Sequence, residues 1–133
     1  MSASAPSVLA LTVTGTVATT STAVARIPFG ARVRAITVAV GTAPVGSVLS
    51  GTVRKATAAG TVVGTWSIAA GALSAAATMS TVDGADELAA DDLLHLVVAA
   101  VGSSTAGSNL TALVQVDQSA DQDGVNALYP YTA

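Results

Sequence analysis

The chain has no cysteine, so neither a disulfide framework nor thiolate chemistry is open to it. Charge is scarce as well: Asp, Glu, Lys and Arg make up 10% of the 133 residues, against about 25% in an ordinary soluble domain. The first 25 residues carry no charged side chain, yet they lack the basic start and continuous apolar run of a signal peptide. Residues 56–82 are also uncharged, but glycines interrupt them and no run of some 20 strongly apolar residues occurs, which argues against a transmembrane helix. A soluble chain is expected. With a net charge of −3 and a pI near 4.6, non-specific binding to nucleic acid has no electrostatic basis. Aromatic residues are only 3% of the chain, although 51% is apolar. Ala and Val therefore supply most of the hydrophobic character, and such small side chains bury little area each. A thin core of this kind favours association with neighbours.

What charge there is falls in two blocks. All five bases (Arg26, Arg32, Arg34, Arg54 and Lys55) precede all eight acids (Asp83, Asp86, Glu87, Asp91, Asp92, Asp117, Asp121 and Asp123). Two arrangements fit this order: contacts between copies, or neutralisation of one half by the other within a single fold.

Short β-rich runs separated by turn residues fill most of the chain. Residues 7–17 place Leu9, Leu11 and Val13 on one parity. Strands are expected next at 22–28 and at 32–40, where Ile36, Val38 and Val40 share a face. The segment 41–46, Gly-Thr-Ala-Pro-Val-Gly, is a turn. In the strand 47–55, Gly51 marks a bulge or a close backbone approach. Residues 61–68 put Val62, Gly64, Trp66 and Ile68 together, and 73–79 form a weaker, alanine-rich strand. An acidic loop covers 80–92, with room for one helical turn around Ala85–Ala89. The last two strands, 93–101 and 109–116, turn Leu94, Leu96 and Val98, then Leu110, Ala112, Val114 and Val116, toward a core. His95, Val97 and Leu113 are left on outer faces that carry almost no charge, where a free monomer ordinarily places Lys, Glu or Arg. About eight short antiparallel strands give an all-β fold, a single sandwich or barrel. Residues 1–116 are the domain, with 1–7 as a candidate arm, and 117–133 form an extended C-terminal tail bearing Tyr129 and Tyr131.

Three stretches carry a resemblance: residues 31–55 (ARVRAITVAVGTAPVGSVLSGTVRK), 60–78 (GTVVGTWSIAAGALSAAAT) and 88–116 (LAADDLLHLVVAAVGSSTAGSNLTALVQV). Together they resemble a domain frequent in tailed-bacteriophage structural proteins, over about residues 30–116. Val101 to Ser108 follows that domain's Val-Gly-Ser-Thr-Thr-Pro-Gly-Ser order, with Ala106 where Pro is usual. The Asn-Gly-Thr hairpin turn departs further, reading Thr57-Ala58-Ala59-Gly60-Thr61 here. The resemblance implies a jelly-roll-like β-sandwich, a place in the virion and no catalytic residue. A single short domain of this kind is expected to decorate a capsid, as a homotrimer covering contacts between major capsid proteins on the head surface, after synthesis in the host cytoplasm. The alternative is a head-fibre or tail-fibre module that holds host glycan.

The chemistry-bearing residues yield no enzyme. His95, the one histidine, lacks a nucleophile and an orienting partner nearby in sequence. The acids between Asp83 and Asp92 lack the alternating spacing of a calcium loop, and Asp121, Asp123 and Gly124 are a weaker candidate still. No cofactor or metal is expected. Trp66 shares a face with Ile68 and belongs to the core, whereas Phe29 sits at a turn. Arg32, Arg34, Arg54 and Lys55 lack the interleaved aromatics of a single-strand nucleic-acid site. These four, with His95, Val97, Leu113, Tyr129 and Tyr131, are the candidate contacts to other subunits or to a capsid. A glycan would instead engage the tyrosines or the loop at 102–108.

Overall fold

The computed structural model of the chain describes residues 6–118. Ten strands follow one another: β1 (Pro6–Thr16), β2 (Thr22–Arg26), β3 (Ala31–Ala39), β4 (Leu49–Lys55) and β5 (Thr61–Ile68), then β6 (Ser74–Ala76), β7 (Thr78–Met79), β8 (Glu87–Leu88), β9 (Leu93–Ala100) and β10 (Ser108–Gln118). They form two antiparallel sheets. The first has the order β1-β10-β3-β6, with β8 also paired to β3; the second has the order β2-β9-β4-β5-β7. β1 pairs with β10, β2 with β9, β3 with β6 and β4 with β5. Each early strand thus meets a later one, and these nested pairs roll up as in a jelly roll. β10 continues to Gln118, two residues past the expected end of the sandwich, and β1 takes in Pro6 and Ser7 of the expected arm. Tyr129 and Tyr131 lie outside the described residues, as does the remainder of that arm.

Alternation builds the core. Leu11 on β1, Val38 on β3, and Leu110, Ala112, Val114 and Val116 on β10 come from the first sheet; Leu49, Val53, Trp66, Ile68, Leu94, Leu96 and Val98 come from the second. Two bulges adjust the simple parity. On β3 the pairing to β10 shifts so that Gln115 faces Ala35 while Val116 faces Val33. Arg34 and Ala35 are consequently both exposed, and Ala31 and Val33 turn inward with Ile36. On β5, Val53 pairs with Gly64 but Arg54 pairs with Val62. The extra residue is Val63, fully buried, while Val62 is only half-buried, correcting the face expected for it. At Gly51 the expected close approach is found, while the extra residue of the neighbouring bulge is Ala99 on β9. The β4–β9 register shifts between Ser50 and Gly51, and the backbone there passes against Trp66.

Two other segments depart from the sequence reading. Residues 73–79 form two strands in different sheets: β6 pairs with β3, β7 pairs with β5, and Ala77 N donates to Ile36 O between them. Small side chains let the chain cross from sheet to sheet at this edge. The helical turn around Ala85–Ala89 is replaced by tight turns, in which Ala85 N donates to Val82 O and Glu87 N to Gly84 O. They lead into β8, which pairs through Leu88 with Ala31 and through Glu87 with Arg32. Burial of Ala85 and Leu88 anchors this segment to the sandwich.

Candidate functional site

The sheet register gathers the charged side chains of the described residues at one end of the sandwich. Arg26 closes β2 opposite Leu93, and Lys55 closes β4 opposite Leu94. Arg32 opens β3 opposite both Asp117 and Glu87. The acidic loop 83–92 runs between these strand ends, and His95 lies near the start of β9. The two charge blocks of the sequence meet here within one chain. Arg32 holds Glu87 at 2.9 Å and Asp86 at 3.6 Å, Arg34 holds Asp117 at 3.0 Å, and Arg26 lies 3.5 Å from Asp91. The arginine side chains are more than half exposed in all of them, so each pair contributes about 0–1 kcal/mol.

The other bases bind backbone. Lys55 Nζ donates to Gly84 O at 2.7 Å and Glu87 O at 2.8 Å, tying the second sheet to the loop that leads into β8. Arg54 donates from Nη1 to Gly60 O at 2.9 Å and from Nε to Thr52 Oγ1 at 3.1 Å. Asp92 Oδ2 accepts from Ala89 N. The carboxylates of Asp86, Glu87, Asp91 and Asp92 are directed to arginines and backbone, and among the described residues no group of three His, Asp or Glu side chains is placed to hold a metal ion. A depression of about 390 Å³ beside Arg32, Ser80, Asp83, Asp86 and Glu87 carries both signs of charge, with Arg32 paired to Asp86 and Glu87. The cross-strand neighbours of His95 are Val24 and Arg54, neither a nucleophile nor a carboxylate.

The outer sheet faces beyond this end are uncharged. Leu113 is exposed between Ala10 and Thr37 on the first sheet. Val97 is half-buried between Thr22 and Thr52 on the second.

At the opposite end the connections 17–21, 40–48, 69–73 and 101–107 contain no charged residue. The two glycine-bearing turns read from the sequence are here one structure. Val45 N donates to Thr105 O and Ser104 N to Val45 O, both at 2.9 Å; Gly41 N donates to Ser108 O; and Ser47 Oγ donates to Val101 O. Gly71 N donates to Pro44 O at 2.7 Å, drawing in the connection after β5. Gly46, at φ +92°, packs so closely that a side chain would overlap Ser103 Oγ. Val45, Val48 and Leu73 project from these loops with 47%, 43% and 56% of their surface exposed. Sequence reasoning missed this apolar cluster. Its signal was the absence of charge from the whole of 35–53 and 56–82, which marks an end rather than a strand face.

No protein-family model matches the chain, and no curated protein matches it. Among solved structures, a chain of the cyanophage Pam1 capsid asymmetric unit is similar to it, with a TM-score of 0.58 and 19% sequence identity over 87% of this chain and 86% of that one. At that identity the likeness is one of fold.

Proposed function

We propose that this chain is a non-enzymatic structural protein of a tailed-phage particle, a decoration protein that binds the outer surface of the head. The observation that carries the reading is the shared fold with a chain of a cyanophage capsid asymmetric unit, over nearly the whole length of both. The phage-like segments, 41–46 and 101–108, support it further, because backbone hydrogen bonds join them into one end of the sandwich. So do the uncharged outer faces around Leu113 and Val97. The mechanism is added buried area. A stable contact removes about 1,600 Å² from solvent, and repetition over a shell of major capsid proteins multiplies its effect. Ordered loops and strand faces lose little freedom on docking.

The test is co-sedimentation of the purified chain with assembled heads of the phage that encodes it, followed by thermal disruption of the decorated heads. Saturable binding and a higher disruption temperature are expected. Failure to bind heads, together with binding to host polysaccharide, would replace this reading with that of a fibre module.

A further inference from the structure

β1 is an edge strand. β10 lies along one side of it, and among the described residues no strand lies along the other. Among the described residues its outward N–H and C=O groups therefore meet no neighbouring strand. The remaining sheet ends are short: β6 has three residues, β7 and β8 two each, and β2 five, the last of them Arg26. β1 has eleven residues and no charged side chain. From Ser7 to Val13 it pairs with β10 without a bulge. Short length, charge, proline and bulges are the usual protections of a sheet edge; β1 has Pro6 at its start and a bulge between Val13 and Thr16, and Ser7–Val13 between them carries none.

We infer that β1 is a self-pairing edge: two copies join β1 to β1, antiparallel, about a twofold axis at Leu11, so that their first sheets become one continuous sheet. Three observations fit a second copy. The first is register. Leu9, Leu11 and Val13 point inward while Val8, Ala10, Thr12 and Thr14 point outward. An axis at Leu11, the midpoint of the strand, sets Leu9 opposite the partner's Val13 and Ala10 opposite the partner's Thr12. Inward residues thus meet inward residues from Leu9 to Val13, the part of the overlap clear of the β1 bulge; a slip of one residue would oppose the two faces.

The second is burial. Leu9 and Val13 on β1, with Ala23 and Ala25 on the facing edge strand β2, are only partly buried against the core. They line the open side of the sandwich, and pairing would extend the first sheet across it. The third is charge. Pro6 lies opposite Asp117, so β1 starts at the charged end of the molecule. An antiparallel pair therefore sets the charged ends of two acidic chains at opposite ends of the assembly, with uncharged β1 between them.

The inference does not depend on binding to heads, and it names a twofold contact in place of the homotrimer expected of a capsid-decorating chain. Light scattering on the full chain and on two double variants tests it. Ala10 and Thr12 are exposed, so charges there leave the isolated fold intact. In the pair, Ala10→Lys with Thr12→Lys sets like charges directly across the twofold, whereas Ala10→Lys with Thr12→Glu sets opposite ones. The expected masses are two chains for the wild type, one for the Lys/Lys variant with an unchanged β circular dichroism spectrum, and two for the Lys/Glu variant. A wild-type mass of one chain, or an assembly of any size that both variants leave unaltered, overturns it.

Discussion

The indole of Trp66 rests on the backbone of Gly51: a Cβ at that glycine would stand 2.7 Å from Cζ2 of the ring and would overlap the carbonyl oxygen of Val97. One obstacle is a ring held on all sides by the core; the other is backbone of the neighbouring strand β9. Neither can retreat without moving a sheet. Gly51→Ala is therefore an overpacking substitution, for which losses of about 1–3 kcal/mol are usual. A loss at the upper end of that range is expected in urea unfolding. An alanine variant as stable as the parent would mean that β4 and β9 stand further apart than described.

Trp66 is 1% exposed, and its Nε1 has no hydrogen-bond partner among the described residues. Its contribution is thus packing rather than polar contact. Trp66→Ala is expected to cost about 3–5 kcal/mol, while Trp66→Phe, which removes no hydrogen bond, costs markedly less. Since it is the single tryptophan, its emission offers a direct check: blue-shifted when folded, red-shifted in step with the loss of β circular dichroism. Equal losses for Phe and Ala would point to a bonded Nε1.

Alternation made the walls of the sandwich legible. The inward residues of β1, β9 and β10 follow from period two, and the Gly51 contact follows from a glycine inside a strand. The bulges at Arg34–Ala35 and at Val63 were not legible, because a bulge is set by the register of the partner strand. The alanine-rich run 73–79 has no pattern that marks a change of sheet at Ala77, whose N–H donates the deciding hydrogen bond to the carbonyl of distant Ile36. Pairing of the charge blocks was one of two open arrangements, and 55 positions separate Arg32 from Glu87. The apolar end was hidden for a similar reason: Val45, Val48 and Leu73 come from separate turns that only the rolled topology brings to one end.

The charged end contains contacts of unequal weight. Arg32, about half exposed, is held by carboxylates that water screens well, so Arg32→Ala is expected to cost less than about 1 kcal/mol, and less again in high salt. Lys55 instead gives two short bonds to backbone carbonyls on either side of Ala85. Lys55→Met keeps most of the stem and removes both bonds. Amide exchange at Ala85–Leu88 is expected to quicken at least tenfold in that variant, with little change in β1 or β10. Equal exchange in the two variants would show that the ion pairs, rather than Lys55, hold the loop.

Gly46 joins the two turns of the uncharged end under two separate constraints. Its φ of +92° is a conformation L side chains rarely adopt, and the space a Cβ would fill is taken by Ser103 Oγ. Gly46→Ala must shift the backbone of 41–46 and strain the bonds between Val45, Ser104 and Thr105. A loss of about 1–3 kcal/mol is expected. Adding Ser103→Gly clears the space but leaves φ unchanged, so the double variant should recover only part of it. Full recovery would assign the whole cost to the overlap; no recovery would assign it to the backbone. If the rigid end docks on a phage head as proposed, Gly46→Ala should also weaken co-sedimentation at temperatures where the sandwich itself remains folded. Ser103→Gly in the same chain should restore binding in proportion to the stability it restores.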